Sequence, residues 1–448
     1  MGYHAPTRTS LQLFAVVSLL VSLVLAWLIW RQWHQVERAQ PSKDAVVVAS
    51  QDQLNTFIKR QHTLGTAAQF QNSEALYEIP TGVFIQSMVF ASSSNVNLTG
   101  YIWQVYPVDF PYERGFSFPE QISSGDTVIE LQYCFGLDQS REQKSEEIKE
   151  NKILPNECRE LVAGTMEHGA LSSGGDENTS HLIGWYFNVT LRQSFDYKKY
   201  PMDFLTIWLR IWPKEIAYDQ FILPVPDFAA YSAGGDLQDT EDKRFVYPAA
   251  FGLDRGFVRG EWEIDTSYFS YREIEYDINF GFHSGLEVER KPISETQFSV
   301  SRYQELHFNL GVKRKFLSAF IKNLVPLLVV GLLLFSTVMT ITADKEQSSR
   351  FGYSTSGLLC TCSALFFVVM LSHIQVRSMF AGSGLVYIEY FYLVMYLYIL
   401  LTALNGYLFS LIGLEKFRLL QYGDNIVAKV TFWPVLLFGM LVVGWYVL

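Results

Sequence analysis

Few residues in the apolar parts of this sequence could carry out chemistry. Lys322 lies beside one long apolar run, and His373 and Glu389 lie at the edges of two others. Catalysis inside a membrane normally needs several ionisable side chains that face inward. The sequence also contains no zinc-type spacing of Cys and His, no P-loop, no dinucleotide fingerprint and no nucleophile elbow. We therefore expect no catalytic residue, no metal and no cofactor, and an integral membrane enzyme is disfavoured.

The four cysteines form two sequence pairs, and a disulfide is expected to be possible for only one of them. Cys134 and Cys158 flank a charged segment in the polar part of the chain. An oxidising compartment would permit a disulfide between them, and two unpaired thiols are the alternative. Cys360 and Cys362 lie two residues apart in an apolar run, and would therefore point to different faces of a helix. That spacing suits neither a bridge nor a metal site.

Five uncharged runs are long enough to cross about 30 Å of hydrocarbon as helices. Four of them lie in the C-terminal third of the chain. The mean hydropathy of +0.11 is too apolar for a typical soluble protein and too polar for one that is membrane-embedded throughout, so we expect a mixed architecture. The runs comprise residues 11–30, 324–341, 353–372, 390–414 and 430–448.

The first run is interpreted as an uncleaved membrane anchor, residues 1–31, rather than a cleaved signal peptide. Its apolar core of about 20 residues exceeds the roughly 7–15 of a signal peptide, and no A-x-A cleavage site follows Trp30. His4 and Arg8 precede the run without an acidic residue, which favours a cytoplasmic N-terminus. The large polar region would then lie outside the cytoplasm, and four further crossings would return Leu448 to the same side.

Residues 77–314 are predicted to form an antiparallel β-sandwich. Short stretches with a period of two are separated by Gly, Pro, Asp and Ser. A stalk or linker, residues 32–76, precedes this region, and a charged helical insertion interrupts it at about 136–180. From Arg31 to Arg314 the sequence holds 26 Lys and Arg against 40 Asp and Glu, a net charge of −14. This acidity argues against a nucleic-acid partner and would concentrate cations, although solubility of an exported domain explains it equally well.

The strand pattern ends directly in a membrane-length helix. Alternating apolar residues at 306–312 lead through the basic cluster 313–315 into the run that contains Pro326. A β-domain is therefore joined to a membrane domain, residues 315–448, with almost no linker. This arrangement resembles the junction between the last strand and the first membrane helix of pentameric ligand-gated ion channels.

Three further segments resemble the same family, the Cys-loop receptor superfamily, in its prokaryotic type. Residues 195–212 contain Tyr200-Pro201-Met202-Asp203, similar to the family's aromatic-Pro-aromatic-Asp turn. Ser194 and Trp208 stand where eukaryotic members have two bridged cysteines. Residues 350–371 resemble the pore-lining helix, and residues 384–404 resemble the next helix. The resemblance covers residues 77–448 in the family's order.

The sequence also departs from the family at several points. The motif that opens the helix after the pore helix has Glu389 where the family has Asp, following Tyr387. Residues 116–120 replace the family's W-x-P-D element, and the loop after residues 350–371 lacks the usual proline. The N-terminal apolar run is an addition that the family normally lacks.

The resemblance implies an α+β membrane protein. An extracytoplasmic antiparallel β-sandwich would be followed by a four-helix transmembrane bundle, with one additional N-terminal transmembrane helix. Family members are homopentamers whose second bundle helix lines a central pore. With Arg350 at the cytoplasmic mouth, helical spacing places small polar residues first and bulky apolar residues later along one stripe. The expected pore-lining residues are Ser349, Gly352, Ser356, Leu359, Ser363, Phe366 and Met370. Tightly packed helices with tolerated serines are the alternative.

The resemblance also implies coupling and ligand-binding residues. The tetrad acid Asp203 should meet Arg314 where the β-domain joins the membrane domain, with Tyr200 and Pro201 shaping the turn. Solvated charges near a membrane surface are the alternative. An aromatic box between subunits would bind the ligand, since aromatic faces attract cations, although core packing is the alternative for each ring. The candidates are Tyr101, Tyr133, Trp212, Tyr268, Tyr271 and Tyr276.

The sequence thus predicts a pentameric ligand-gated ion channel in a bacterial inner membrane, with a weak preference for cations. Its expected partners are membrane lipids, copies of the same chain, permeating ions and an unidentified small-molecule or ionic ligand, but no nucleic acid. The alternative is a non-conducting membrane receptor or scaffold that signals through partner proteins. The extra N-terminal run, which could dock a partner, favours that alternative.

Overall fold

The computed structural model describes residues 8–35, 44–68, 77–122, 127–138, 152–164, 179–214, 222–231, 250–258, 260–276, 301–342, 346, 348–349, 354–380, 382–410 and 424–448. The chain divides into two compact units. The helical unit comprises Met1–Arg38, Asp196–Phe204 and Lys313–Leu448, and the β unit comprises Ala39–Phe195 and Leu205–Val312. The turn Asp196–Phe204 therefore belongs to the helical unit, although its flanking strands belong mainly to the β unit.

The β unit is a β-sandwich-like region of two sheets. Its strands are β1 (Ala45–Val48), β2 (Tyr77–Phe90), β3 (Asn95–Pro107), β4 (Phe116–Ser117), β5 (Val128–Asp138), β6 (Thr179–Arg192), β7 (Phe204–Pro213), β8 (Ile222–Pro226), β9 (Leu253–Val258), β10 (Trp262–Tyr276) and β11 (Ser301–Arg314). The five-stranded sheet has the order β1-β10-β11-β7-β4. The six-stranded sheet has the order β5-β6-β3-β2-β8, and its sixth strand, β9, also pairs with β2. Most of the described ladders are antiparallel, as the sequence predicts, but β8 and β9 run parallel to β2.

The alternating sequence pattern explains which side chains form the core. On β7, Leu205, Ile207, Leu209 and Ile211 are buried, while the residues between them face the other way. The predicted alternation of β11 is likewise present, with Leu306, Phe308, Leu310 and Val312 buried. The ring of Phe308 lies 5.1 Å from that of Phe269 on β10. Because side chains alternate between the two faces of a strand, one apolar row per strand is sufficient to build this core.

Within residues 32–76, predicted as a stalk or linker, the described residues 44–68 contribute structure to the β unit. β1 pairs antiparallel with β10, and helix α2 (Gln51–Ala68) follows it. On α2, Leu54 and Phe57 are buried, and Phe57 stacks on Tyr271 of β10 at 4.1 Å. Periodicity alone could not reveal this docking, since the apolar surface that covers these residues comes from a strand some 200 positions later in the chain.

The charged insertion is described only in part. Its described helix, α3 (Pro155–Val162), is short and begins with proline, which suits the first turn of a helix. Cys158 of α3 forms a disulfide with Cys134 of β5. Arg114 also holds this helix, since its guanidinium donates to the Leu161 carbonyl at 2.8 Å. The disulfide ties α3 to β5, and the Arg114 bond ties it to the segment between β3 and β4.

Five helices in the described residues are long and apolar enough to cross a membrane. They are α1 (Arg8–His34), α4 (Phe316–Thr340), α5 (Thr355–Met379), α6 (Tyr387–Ser410) and α7 (Ile426–Val447). A π-helical turn at Phe320–Leu324 lies within α4, directly before Pro326. These helices give the chain the character of a membrane-embedded protein.

Contacts within the helical unit define the directions of its helices. Thr355 at the start of α5 lies 2.6 Å from Ser410 at the end of α6, oxygen to oxygen, so these two helices are antiparallel. Ser18 of α1 donates to the Val430 carbonyl of α7. Gln32, near the end of α1, lies against Gly444, near the end of α7, so α1 and α7 are parallel.

Candidate functional site

The turn Asp196–Phe204 is the centre of the candidate site. It is closed by its own hydrogen bonds: the Tyr200 amide donates to the Tyr197 carbonyl at 2.9 Å, and the Met202 amide donates to the Lys199 carbonyl at 2.8 Å. The Tyr200–Pro201 peptide bond is cis. A turn that satisfies its own backbone can present its side chains outward in a defined arrangement.

Asp203 and Arg314 form a bidentate ion pair at the end of this turn. The Arg314 Nε atom lies 2.9 Å from Asp203 Oδ1, and the second guanidinium nitrogen lies 3.2 Å from Oδ2. The Arg314 amide also donates to the Asp203 carbonyl at 3.3 Å. The Arg314 side chain is 8% exposed and the Asp203 side chain is 1% exposed. A paired geometry of this kind is among the strongest hydrogen-bonded arrangements in proteins, and here it joins the turn to the end of β11.

Aromatic side chains anchor the same turn on two helices. The Arg314 guanidinium lies over the Tyr200 ring at 4.8 Å, and the Tyr200 ring lies 4.6 Å from Phe380, which follows α5. Tyr197 contacts Phe380 as well, at 5.0 Å. Asn323, in the π-helical turn of α4, donates to the Tyr200 hydroxyl at 2.8 Å. The turn therefore contacts both α4 and the segment at the end of α5.

A third helix receives the turn through the backbone. The Tyr387 amide, at the start of α6, donates to the Lys198 carbonyl at 2.8 Å. Burial raises the pKa of Tyr197, and the neighbouring Arg314 only partly opposes that shift, so the Tyr197 hydroxyl stays protonated at neutral pH. The turn thus connects α4, the end of α5 and the start of α6 through neutral groups and one ion pair.

A second charged cluster joins the end of α5 to α6. Glu389 of α6 is fully buried, and its carboxylate accepts a hydrogen bond from the Val386 amide at 2.8 Å. His373 Nε2 lies 3.5 Å from one carboxylate oxygen, and an Arg377 nitrogen lies 3.5 Å from the other. Glu389 of α6 therefore pairs with two side chains of α5.

On α5 the residues predicted to line a pore lie mainly on the exposed side. On the helix, Ser356, Leu359, Ser363 and Phe366 are exposed and Met370 is half-buried; Ser349 is also exposed but precedes α5. Gly352 lies outside the described residues. The opposite side of α5 forms a buried ridge of Leu358, Cys362, Leu365, Val369 and Val376.

Local contacts shape the stripe on α5. Ser354 caps the helix, since its Oγ accepts a hydrogen bond from the Gly357 amide at 3.0 Å. Ser363 donates to the Leu359 carbonyl at 2.9 Å, one turn back along the same helix. Phe366 lies at the edge of the exposed side, because its ring contacts Tyr396 of α6 at 5.4 Å. The stripe therefore begins with hydroxyl groups and ends in larger apolar groups.

The aromatic residues predicted to bind a ligand fall on two different sheets. On the six-stranded sheet, Tyr101 and Tyr133 are half-buried, and the Tyr101 ring lies 5.5 Å from Tyr186. On the five-stranded sheet, Trp212 donates to a Glu305 carboxylate oxygen at 2.8 Å. Within the chain, the described candidates are therefore divided between the two sheets.

The other aromatic candidates lie on β10. Tyr268 is buried. Tyr271 is part of the core, because it is fully buried under Phe57 and donates to the Pro224 carbonyl at 2.8 Å. The side chain of Tyr276 lies outside the described part of the structure.

Sequence reasoning missed a part-buried ion network in the β unit. Arg210 Nε lies 2.9 Å from a Glu120 oxygen, and another Arg210 nitrogen lies 3.3 Å from Glu305. His307, next to Glu305 on the same face of β11, is also buried. Burial lowers the pKa of His307, although the Glu305 carboxylate acts in the opposite direction. One sequence signal could have indicated this network. Polar residues occupy every second position of β11, and they alternate with apolar residues that form the core, so both faces of this strand could have been expected to be buried.

No protein-family model matches this sequence, and no curated protein sequence matches it. The interpretation of the site therefore depends on its geometry and on the motifs in the sequence.

Proposed function

We propose that this protein is a ligand-gated ion channel that works as a homopentamer. The observation that carries the proposal is the buried Asp203–Arg314 pair, in a turn whose contacts reach α4, the end of α5 and α6. Such a turn is suited to transmit a change in the β unit to the helices. In this proposal the β unit binds the ligand, and α4, α5, α6 and α7 form the four-helix pore domain.

The pore would be lined by the exposed stripe of α5. Ser356 and Ser363 would offer hydroxyl groups to an ion, and rings of Leu359 and Phe366 would form an apolar constriction that closes by excluding water. The acidic region from Arg31 to Arg314, with its net charge of −14, favours cations weakly. The chain would lie in a bacterial inner membrane with its β unit outside the cytoplasm.

The separation of the aromatic rings onto two sheets supports a ligand site between subunits. Tyr101 and Tyr133 of one subunit would face Trp212 of the next, whereas Tyr268 is buried within its own chain and takes no part. A site of this kind depends on assembly, because each subunit supplies only one wall.

Images of the purified full-length protein in detergent or nanodiscs test the assembly. We expect particles with five-fold symmetry, and native mass spectrometry should give five copies of a 51.4 kDa chain. A stable monomer, dimer or tetramer would contradict the proposal.

Leu359→Ser tests the gate. If five copies of Leu359 form an apolar ring, five hydroxyls would wet it and shift the protein toward conduction. We expect basal ion flux into liposomes to rise by at least about tenfold, which corresponds to a shift of about 1.4 kcal/mol in the closed-to-open equilibrium.

The matched control is Leu371→Ser, the same change at an exposed position of α5 outside the predicted stripe. It should leave basal flux near that of the unchanged protein. An equal response of both variants, or no response from an assembled Leu359→Ser protein, would remove Leu359 from the pore.

A non-conducting receptor or scaffold is the second candidate. The observation that favours it is α1, a membrane-length helix beyond the four of a pore domain. Flux measurements distinguish the two, because a scaffold would form intact oligomers that carry no ions under any condition.

A further inference from the structure

Helix α7 contains a proline that leaves one of its carbonyl groups without its usual partner. Pro434 has no amide hydrogen, so the Val430 carbonyl, four residues earlier, cannot form its regular helical hydrogen bond. Hydrocarbon contains no water to replace that bond, and a neighbouring Ser or Thr can supply it instead. Ser18 of α1 donates its hydroxyl to this carbonyl. Helix α1 therefore compensates for a defect in α7.

A second contact between α1 and α7 agrees with the one made by Ser18. Gln32 and Gly444 meet near the other end of the two helices, and a Cβ atom at position 444 would overlap the Gln32 amide oxygen. The sequence separation of 412 between Ser18 and Val430 is the same as that between Gln32 and Gly444, so the two helices run in one parallel register. Small residues at the contact allow this close approach.

The end of α1 also leads to the turn Asp196–Phe204. Trp33 Nε1 donates to the Tyr387 hydroxyl at 3.0 Å, and the Trp33 ring lies 5.3 Å from Phe316 at the start of α4. Tyr387 is buried, and its own amide donates to the Lys198 carbonyl of the turn at 2.8 Å. Two hydrogen bonds through one residue therefore connect α1 to the turn.

We propose that α1 is a positioning helix for the turn Asp196–Phe204. Ser18 keeps α1 docked on α7, and Trp33 holds Tyr387 where its amide supports the turn. The effect of this positioning on pore opening rests on the proposed channel function, whereas the positioning itself does not.

The docking is tested by a double-mutant cycle on the full-length protein. Ser18→Ala should lower the melting temperature by about 2–4 °C, which is the shift expected when a domain of about 150–250 residues loses about 1 kcal/mol of stability. In a Pro434→Ala background, the restored helical bond makes Ser18 dispensable, so Ser18→Ala should then have almost no effect.

Ser22→Ala is the matched control for the docking, because Ser22 bonds only one turn back, to the Ser18 carbonyl of its own helix. We expect a shift of less than about 1 °C, as for other substitutions away from a critical contact. Equal effects of Ser18→Ala and Ser22→Ala, or an effect of Ser18→Ala that persists with Pro434→Ala, would overturn the docking role.

The positioning is tested with Trp33→Phe, which retains an aromatic ring but removes the indole donor. Hydrogen exchange of the Tyr387 amide should accelerate by at least about fivefold, which corresponds to about 1 kcal/mol. Basal ion flux into liposomes should change by at least about threefold, which corresponds to about 0.65 kcal/mol. The control is Trp30→Phe, on the exposed side of α1. It should alter neither measurement.

The two readouts separate the two proposals. Faster exchange with no ion flux from any variant would reject the channel but support the positioning role. The opposite result is also possible. If the unchanged protein conducts ions, and Trp33→Phe gives the same exchange rate and the same flux as Trp30→Phe, the positioning role is rejected and the channel proposal stands.

Discussion

Asp203→Ala is expected to destabilise the helical unit by about 3–5 kcal/mol, the cost of removing one partner from a buried ion pair. The reason is the burial of the pair, whose carboxylate is 1% exposed. Alanine would remove both bonds of the bidentate contact and leave the Arg314 guanidinium desolvated next to the Tyr200 ring. Thermal unfolding of the full-length protein in detergent measures the loss. In the proposed channel, gating or assembly should be impaired while ion preference is unchanged.

The contact between the two residues is isolated by a double-mutant cycle. The free energy of unfolding lost in the double variant should be much smaller than the sum of the losses in Asp203→Ala and Arg314→Ala. The reason is that each single truncation removes the ion pair, and the second truncation then removes the remaining buried charge. Asp196→Ala is the control, since Asp196 is an exposed acid of the same turn that accepts only a local bond from the Lys198 amide. Additive effects at Asp203 and Arg314 would contradict the energetic coupling of the pair.

Loss of the Cys134–Cys158 disulfide is expected to have the second-largest effect. The bridge closes a loop with a sequence separation of 24. Closing a loop of that size reduces the conformational entropy of the unfolded chain, which stabilises the folded state by about 3–4 kcal/mol. Cys134→Ser combined with Cys158→Ser should lower the free energy of unfolding of the β unit by that amount. Chemical unfolding with and without reductant measures it.

Cys360→Ser is the control for the disulfide, because Cys360 is an exposed free thiol on α5. It should leave the stability of the β unit unchanged. Alkylation of both Cys134 and Cys158 in the non-reduced protein would contradict the bridge. So would equal stability of the unchanged protein with and without reductant.

Local sequence patterns were sufficient to locate most elements. The alternation on β7 and β11 predicted which residues are buried, because the side chains of a strand alternate between two faces whatever the partner strands are. The five apolar runs predicted five helices of membrane length, since length and composition alone decide whether a helix can cross hydrocarbon. The sequence did not predict that β8 and β9 run parallel to β2, because strand direction depends on how the chain returns to the sheet.

Contacts between distant segments explain where sequence reasoning was incomplete. Phe57 carries no sign that it will stack on Tyr271, and Glu305 carries no sign that it will meet Arg210. Both contacts depend on which strands become neighbours. The predicted aromatic box shows the same effect, since Tyr271 became part of the core when α2 covered it.

The sequence by itself determined the membrane-length helices, the alternating strands and the turn that carries Asp203. These features follow from the local preferences of neighbouring residues. Only the tertiary structure decided that the turn contacts three helices and that α1 docks on α7. The Val430 carbonyl is the clearest case: Pro434 makes it incomplete within its own helix, and Ser18, more than 400 residues away, completes it. A hydrogen bond between distant residues is set by the packing of the folded chain, which no local pattern encodes.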